Sequence, residues 1–185
     1  MAEEQSEETK QEAREFMTGL VGSGLADQVI STDGPGADMK SWKATYNNKE
    51  DSTALMHKFW SEYYNPNTTS IWTMVYDEPE YNENLDDTIN IVKEFMKMSA
   101  SLDDHCFGII HILEGTNSNF EIEGLWFFNG PDPEKLFGVN EDTSWYTWNQ
   151  IGPEPNEHVK TAVGNYIAPA DSKLNEKIIK NTQAF

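Results

Sequence analysis

Two long apolar runs separated by turn-forming residues dominate the hydrophobic pattern of the chain. Residues 106–113 and 120–128 each have the length of a strand, and residues 115–119 between them have hairpin chemistry. A glycine in the middle of the second run, Gly124, predicts a bulge or a close approach by another backbone or a large aromatic ring. The pattern therefore predicts an antiparallel hairpin at the centre of a sheet.

Apolar residues at helical spacing surround this hairpin. Four helices are predicted, beginning at Asp38, at Asp51 or Ser52, at Leu85 and at Asn156. β-Branched and aromatic residues predict further strands over 70–76 and 145–151. The tail after residue 171 has Leu174, Ile178 and Ile179 to bury. Helices packed on an antiparallel sheet of four to five strands define an α+β domain.

The first 36 residues differ from the rest of the chain. They are rich in glutamate, contain Gly22 and Gly24, and end in the turn-forming sequence 33–36. We expect residues 1–36 to be an acidic extension, partly helical or flexible, and residues 37–185 to form one domain. The chain opens without an apolar signal segment and has no run of 18 apolar residues, which predicts a cytoplasmic protein.

A formal net charge of −19, from 32 acidic and 13 basic residues, restricts the classes of partner. Such a surface repels phosphate backbones and anionic lipids, which argues against direct binding to nucleic acid or to membranes. A partner with a basic surface fits the charge better. The simpler interpretation, that the charge only keeps the domain soluble, stays open.

Motifs for common catalytic chemistry are absent from the sequence. It contains no phosphate-binding loop, nucleophile elbow, zinc-protease signature or paired cysteine motif. Asp103, Asp104, His105 and Cys106 are conceivable metal ligands, but four adjacent residues cannot all point at one ion. The sequence therefore predicts no enzyme, catalytic residue, metal, cofactor or small-molecule substrate. An enzyme or metal-dependent protein using residues 103–106 is the least favoured alternative.

Aromatic residues are unusually frequent, at 12% of the chain, with six Trp, seven Tyr and nine Phe. Most of them should pack in the core. In so small a domain some remain at the surface, where tryptophan and tyrosine rimmed by acidic residues would bind another protein. The residues alone therefore favour a protein-binding module over an enzyme.

Motifs along the chain resemble those of the C-terminal domain of elongation factor 1-gamma. The similar segments occur in order: DMKSWKATYNN at 38–48, FW at 59–60, SIW at 70–72 with Tyr76, the hairpin over 115–130, YTW at 146–148, and Tyr166. The spacing Gly124-x-Trp126-x-Phe128-x-Gly130 is the most specific part. The resemblance covers about 130 residues.

The resemblance implies an antiparallel sheet backed by helices, a concave aromatic face and no catalysis. Members of this family are scaffold subunits of the exchange complex for translation elongation. The resemblance therefore implies a protein-interaction domain whose partners are other proteins, including elongation factor 1 subunits. A complete gamma subunit begins with a glutathione-transferase-like domain and a Lys-rich linker, which are not expected in this chain. The alternative is the same domain recruited as a structural component of a cytoskeletal or axonemal assembly.

Six aromatic residues are predicted to form the partner-binding face. Alternation along the run 120–128 places Trp126 and Phe128 on the same face of their strand. The six residues are Trp72, Tyr76, Trp126, Phe128, Tyr146 and Trp148.

Overall fold

The computed structural model describes residues 36–48 and 51–185. The predicted extension over residues 1–36 lies outside the described residues, apart from Gly36. Asn129 fixes the start of the described chain, because its side chain accepts a hydrogen bond from the Ala37 N–H (2.8 Å) and donates one to the Ala37 carbonyl (3.0 Å). Within the described ranges, no helix is both long and apolar enough to cross a membrane.

Five α-helices and six strands form the described domain. The helices are α1 Met39–Asn47, α2 Ser52–Lys58, α3 Leu85–Met98, α4 Glu134–Val139 and α5 Glu157–Ile167. The strands are β1 Thr69–Tyr76, β2 Cys106–Glu114, β3 Phe120–Asn129, β4 Tyr146–Gly152, β5 Lys173–Leu174 and β6 Lys177–Ala184. The predicted α+β class is confirmed.

The strands form one antiparallel sheet in the order β4-β1-β3-β2-β6-β5. The predicted hairpin is confirmed at its centre, with Cys106 opposite Phe128 and Glu114 opposite Phe120. On the other side of β3, Trp72 of β1 pairs with Trp126. At one end of the sheet Tyr76 of β1 lies opposite Tyr146 of β4, so the chain leaving β1 runs beside the chain entering β4.

Side-chain caps explain where four of the helices begin. Asp38, Asp51, Asn84 and Asn156 each accept a hydrogen bond from a backbone N–H in the first turn of the helix that follows. These bonds satisfy N–H groups that have no partner inside the helix. The helix that Asp51 caps, α2, continues into a π-helical turn at Phe59–Tyr63.

Both faces of the sheet are covered by helices. On one face, α1, α2 and α5 pack around Trp42, Phe59 and Phe127. On the other face, α3 and α4 cover a second cluster that includes Phe95 and Trp126. Successive side chains of a strand point to opposite faces of the sheet. Because helices cover both faces, the central strands are almost continuous apolar runs in the sequence.

The tail forms an edge hairpin that the hydrophobic pattern does not predict. β6 adds to β2, with Thr182 opposite His111, and the two-residue strand β5 pairs with the start of β6. Leu174 is buried as expected, whereas Ile178 is 47% exposed. An edge strand has one unpaired side and needs little apolar surface, which explains its weak signal in the sequence.

The glycine in the middle of β3 meets one of the predicted alternatives, a close approach by another backbone. Gly124 pairs in regular register with both Met74 and Ile110, so the strand has no bulge there. A Cβ at Gly124 would lie 3.0 Å from the Met74 side chain and 3.2 Å from the Ile109 carbonyl oxygen, so the close neighbours are a methionine and a backbone group and not an aromatic ring. The glycine that makes room for a ring is Gly108, directly opposite Trp126.

Candidate protein-interaction surface

The six predicted binding residues lie together on the face of the sheet that α3 covers. All six belong to the same cluster as Phe95. The ring centroid of Trp126 is 5.9 Å from that of Phe128 and 6.3 Å from that of Trp148. The structure therefore places all six side chains in one cluster on one face of the sheet.

Four of the six side chains are buried in that cluster. Trp126, Phe128, Tyr146 and Trp148 are at most 3% exposed, because the helix α3 lies over them. This confirms the expectation that most aromatic residues pack in the core. Trp72 and Tyr76 are partly exposed. Whether any of the six contacts a partner stays a prediction, and only these two have rings that a partner reaches without rearrangement.

Tyr76 and Tyr146 meet where β1 ends and β4 begins. Their ring centroids lie 5.4 Å apart in an edge-to-face arrangement, and the Phe95 ring lies 5.1 Å from Tyr146. Burial raises the pKa of Tyr146, and the neighbouring Tyr76 and Asp142 raise it further. The Tyr146 hydroxyl is buried and has no hydrogen-bond partner among the described residues.

Several carboxylates lie near Tyr76. Partial burial raises the pKa of Tyr76, and the negative charges of Glu78, Glu80 and Asp142 raise it further. Burial also raises the pKa of Asp142, to which Glu141 and Glu94 add. We refer to Tyr76, Glu78, Glu80, Asp142 and Tyr146 as the Tyr76 surface. Its side chains present negative charge and the ring and hydroxyl of Tyr76, whereas the Tyr146 hydroxyl is buried.

Two exposed aromatic residues lie at the same end of the sheet as Tyr76 but are not among the six predicted binding residues. Tyr81 is 73% exposed and follows β1, while Trp145 is 53% exposed and immediately precedes β4. The backbone of Asp77 donates to the Trp145 carbonyl at 3.0 Å, which joins the two segments. The feature of the sequence that could have identified them is an aromatic residue in an acidic segment next to a predicted strand.

Residues 103–106 have partners that leave little room for metal binding. Lys43 donates to the Asp103 carboxylate at 2.9 Å, and Lys40 pairs with Asp104 at 3.0 Å. Burial raises the pKa of the Cys106 thiol to about 12, which keeps it protonated. In the ranges 36–48 and 51–185, no three His, Cys, Asp or Glu residues are grouped to hold a metal ion.

A cavity of about 400 Å³ lies beside the same lysines. Its lining includes Lys40, Lys43, Tyr46, Phe107 and Phe185. The Lys43 ammonium lies 4.1 Å from the centroid of the Phe185 ring. Because both lysines already pair with carboxylates, the cavity offers no uncompensated charge for an anionic ligand.

His111 is a structural residue of the sheet. It is 1% exposed, and its ring nitrogens bond to the Thr182 hydroxyl at 2.8 Å and to the Tyr166 carbonyl at 2.7 Å. A neutral imidazole that donates from Nε2 and accepts at Nδ1 satisfies both bonds. The histidine therefore joins β2, β6 and α5 and has no nucleophile to activate.

Comparison with known proteins identifies the class of domain. Residues 27–132 match the family model described as "Elongation factor 1 gamma, conserved domain". Among similar proteins, elongation factor 1-gamma-B of Xenopus laevis is 30% identical over 136 residues. Elongation factor 1-gamma 1 of Saccharomyces cerevisiae is 29% identical over 133 residues, and the Homo sapiens protein is 26% identical over 136. The chain belongs to the elongation factor 1-gamma conserved-domain family, as the motif resemblance predicted.

The similarity covers much of this chain but a minor part of its relatives. The alignments with the Xenopus laevis and Saccharomyces cerevisiae proteins each cover 70% of this chain. They cover 30% and 31% of those relatives. The chain therefore spans less than a third of the length of these relatives.

Proposed function

We propose that this chain is a non-catalytic protein-interaction domain that acts as a scaffold in a cytoplasmic elongation factor 1 complex. The observation that carries the proposal is the match of residues 27–132 to the elongation factor 1-gamma conserved domain. Its partners are proteins, including elongation factor 1 subunits. We propose that the domain binds neither nucleic acid nor membranes and uses no cofactor or small-molecule substrate.

The position of the exposed aromatic residues supports a protein-binding role. Tyr76, Tyr81 and Trp145 lie at one end of the sheet, beside the carboxylates of Glu78 and Asp142. Tyrosine and tryptophan are enriched where proteins bind one another, because each combines a large apolar area with a polar atom. This end of the sheet is therefore the proposed contact region, and Trp72 extends it along β1.

Affinity purification of the tagged chain from its own cells tests the proposal. We expect elongation factor 1 subunits to co-purify with the unaltered chain. The double substitution Tyr81→Ser and Trp145→Ser should reduce their recovery, because both side chains are exposed and their loss should change stability little.

Ile178→Ser is the matched control, since Ile178 is an exposed apolar residue on the opposite edge of the sheet. It should leave the recovery of elongation factors unchanged, and a thermal melt of each variant separates lost binding from lost folding. An eluate without elongation factors would overturn the translation role. An eluate dominated by cytoskeletal or axonemal proteins would instead support the alternative of a structural component.

A further inference from the structure

A buried hydroxyl without a partner lies at the base of the Tyr76 surface. Tyr146 is 3% exposed, and its hydroxyl has no hydrogen bond among the described residues. Among the described residues it is one of six buried side-chain polar atoms without a hydrogen bond, and such a group is unfavourable unless a partner satisfies it. Tyr76 and Asp142, which are themselves partly exposed, lie near enough to raise the pKa of Tyr146, and the Tyr76 ring centroid is 5.4 Å from that of Tyr146.

The surrounding charges are unbalanced. Tyr76 of β1 pairs with Tyr146 of β4, and the carboxylates of Glu78, Glu80 and Asp142 all lie near enough to Tyr76 to raise its pKa. Asp142 in turn lies near the carboxylates of Glu141 and Glu94, which raise its pKa. The surface therefore combines at least three carboxylates with a hydrogen-bonding group that has no partner.

We propose that the Tyr76 surface binds an arginine side chain presented by a basic segment of a partner protein. The inference rests on the proposed function, because it names the chemistry of the partner at the proposed contact region. The guanidinium inserts between Tyr76 and Asp142, pairs with the carboxylates of the rim and donates an N–H to the Tyr146 hydroxyl.

The chemistry of the surface favours arginine over lysine. A guanidinium carries five N–H donors in a planar fork, which allows it to bond to carboxylates and a hydroxyl at the same time. Its flat face also stacks on an aromatic ring such as that of Tyr76, whereas an ammonium group is compact and strongly hydrated. A second copy of the chain is a poor occupant, since each copy carries a net charge of −19.

Binding of short peptides tests the choice of side chain. The probes are acetyl-Gly-Arg-Gly-Arg-Gly-amide and its lysine counterpart, added to the isotope-labelled chain and followed by NMR. We expect the arginine peptide to bind at least threefold more tightly and to shift the backbone signals of Tyr76 and Tyr146. Equal affinity for the two peptides, or shifts confined to other regions, would overturn the proposal.

Tyr146→Phe provides a specific test of the hydroxyl. Because the hydroxyl has no hydrogen-bond partner within residues 36–48 and 51–185, its removal should leave the melting temperature unchanged or raise it. The affinity for the arginine peptide should nevertheless fall at least threefold. A variant that keeps the full preference for arginine would show that the hydroxyl does not take part.

Charge-matched variants separate a specific site from general attraction. Neutralising Glu78, Glu80 and Asp142 to the corresponding amides should weaken binding of the arginine peptide about tenfold. Neutralising the exposed Glu62, Glu154 and Glu157 changes the net charge equally and should weaken it less than twofold. Equal losses in the two triple variants would mean that only net charge attracts the peptide.

The chain's own arginine is a competing occupant that the same assay detects. Arg14 is the sole arginine of the sequence. If Arg14→Gln increases the affinity for the arginine peptide, the chain's own side chain occupies the surface and the proposal is wrong.

Loss of elongation factors from the purified complex would reject the proposed function, while peptide binding to the pure chain reports on the surface independently.

Discussion

Replacing Gly108 with alanine should be among the most damaging small changes in this domain. Gly108 lies opposite Trp126 in the β2–β3 ladder, and the indole ring covers the position that a side chain would occupy. A Cβ built there lies 2.5 Å from three ring atoms of Trp126, compared with ordinary contacts of 3.4–4 Å. The ring would therefore have to move by roughly 1 Å in a close-packed interior.

The surroundings of Trp126 leave no space for that movement. The indole is fully buried, and its ring centroid lies within 6.3 Å of the ring centroids of Phe95, Phe128, Trp148 and Phe185. Overpacking of this kind costs about 1–3 kcal/mol, and we expect the upper end because rigid rings surround the site. For a chain of this size, about 3 kcal/mol lowers the melting temperature by roughly 6–12 °C.

Two further glycines supply graded controls. At Gly124 the neighbours are the flexible Met74 side chain at 3.0 Å and the Ile109 carbonyl oxygen at 3.2 Å, both farther away than the Trp126 ring is at Gly108, so Gly124→Ala should cost less than Gly108→Ala. At Gly164 in α5 nothing lies within 4 Å, and Gly164→Ala should stabilise the domain by about 0.5–1 kcal/mol through helix propensity. Urea denaturation followed by circular dichroism gives all three values. A Gly108→Ala variant as stable as Gly164→Ala would refute the packing described here.

Two other predictions concern buried polar groups. Burial lowers the pKa of His111, so the folded chain resists protonation that the unfolded chain accepts below its ordinary value of 6.5. From pH 7.5 to 5.5 the unaltered chain should therefore lose up to about 1.4 kcal/mol relative to His111→Gln, and parallel melting curves for the two would contradict this. Asn140 is fully buried and donates to the carbonyl of Phe95 at 3.0 Å and to the hydroxyl of Ser99 at 3.1 Å. Asn140→Ala should cost about 2 kcal/mol by urea denaturation, against less than about 0.5 kcal/mol for the exposed control Ser144→Ala.

Local chemistry in the sequence predicts much of the fold. The caps Asp38, Asp51 and Asn156 and the alternation in β2 and β3 are visible in the chain, because each acts within a few residues. The edge strand β6 is not visible, since its residues alternate between half-buried and exposed and carry little apolar signal. The distinction between Gly108 and Gly124 depends on the cross-strand register, which no single segment contains.

The candidate site, too, could be predicted only in part from the sequence. Alternation places Trp126 and Phe128 on one face, but the burial of that face comes from the packing of α3 and α4, which the pattern within one strand does not contain. The pairing of Tyr76 with Tyr146 brings Asp142 close to Tyr76, although 66 residues separate them in the sequence. The net charge of the sequence suggests a basic partner. The residues of the surface that would bind it come together only in the folded sheet, so the sequence does not identify them.

Hydrogen exchange of the chain, alone and within the complex recovered from cells, tests the central claim most directly. A protein-interaction domain that uses the Tyr76 surface should exchange more slowly in the complex over residues 76–82 and 141–147, while the edge strand β6 stays unchanged. Mass spectrometry resolves these segments in one experiment. Unchanged exchange at both segments in a complex that contains elongation factors would contradict this account.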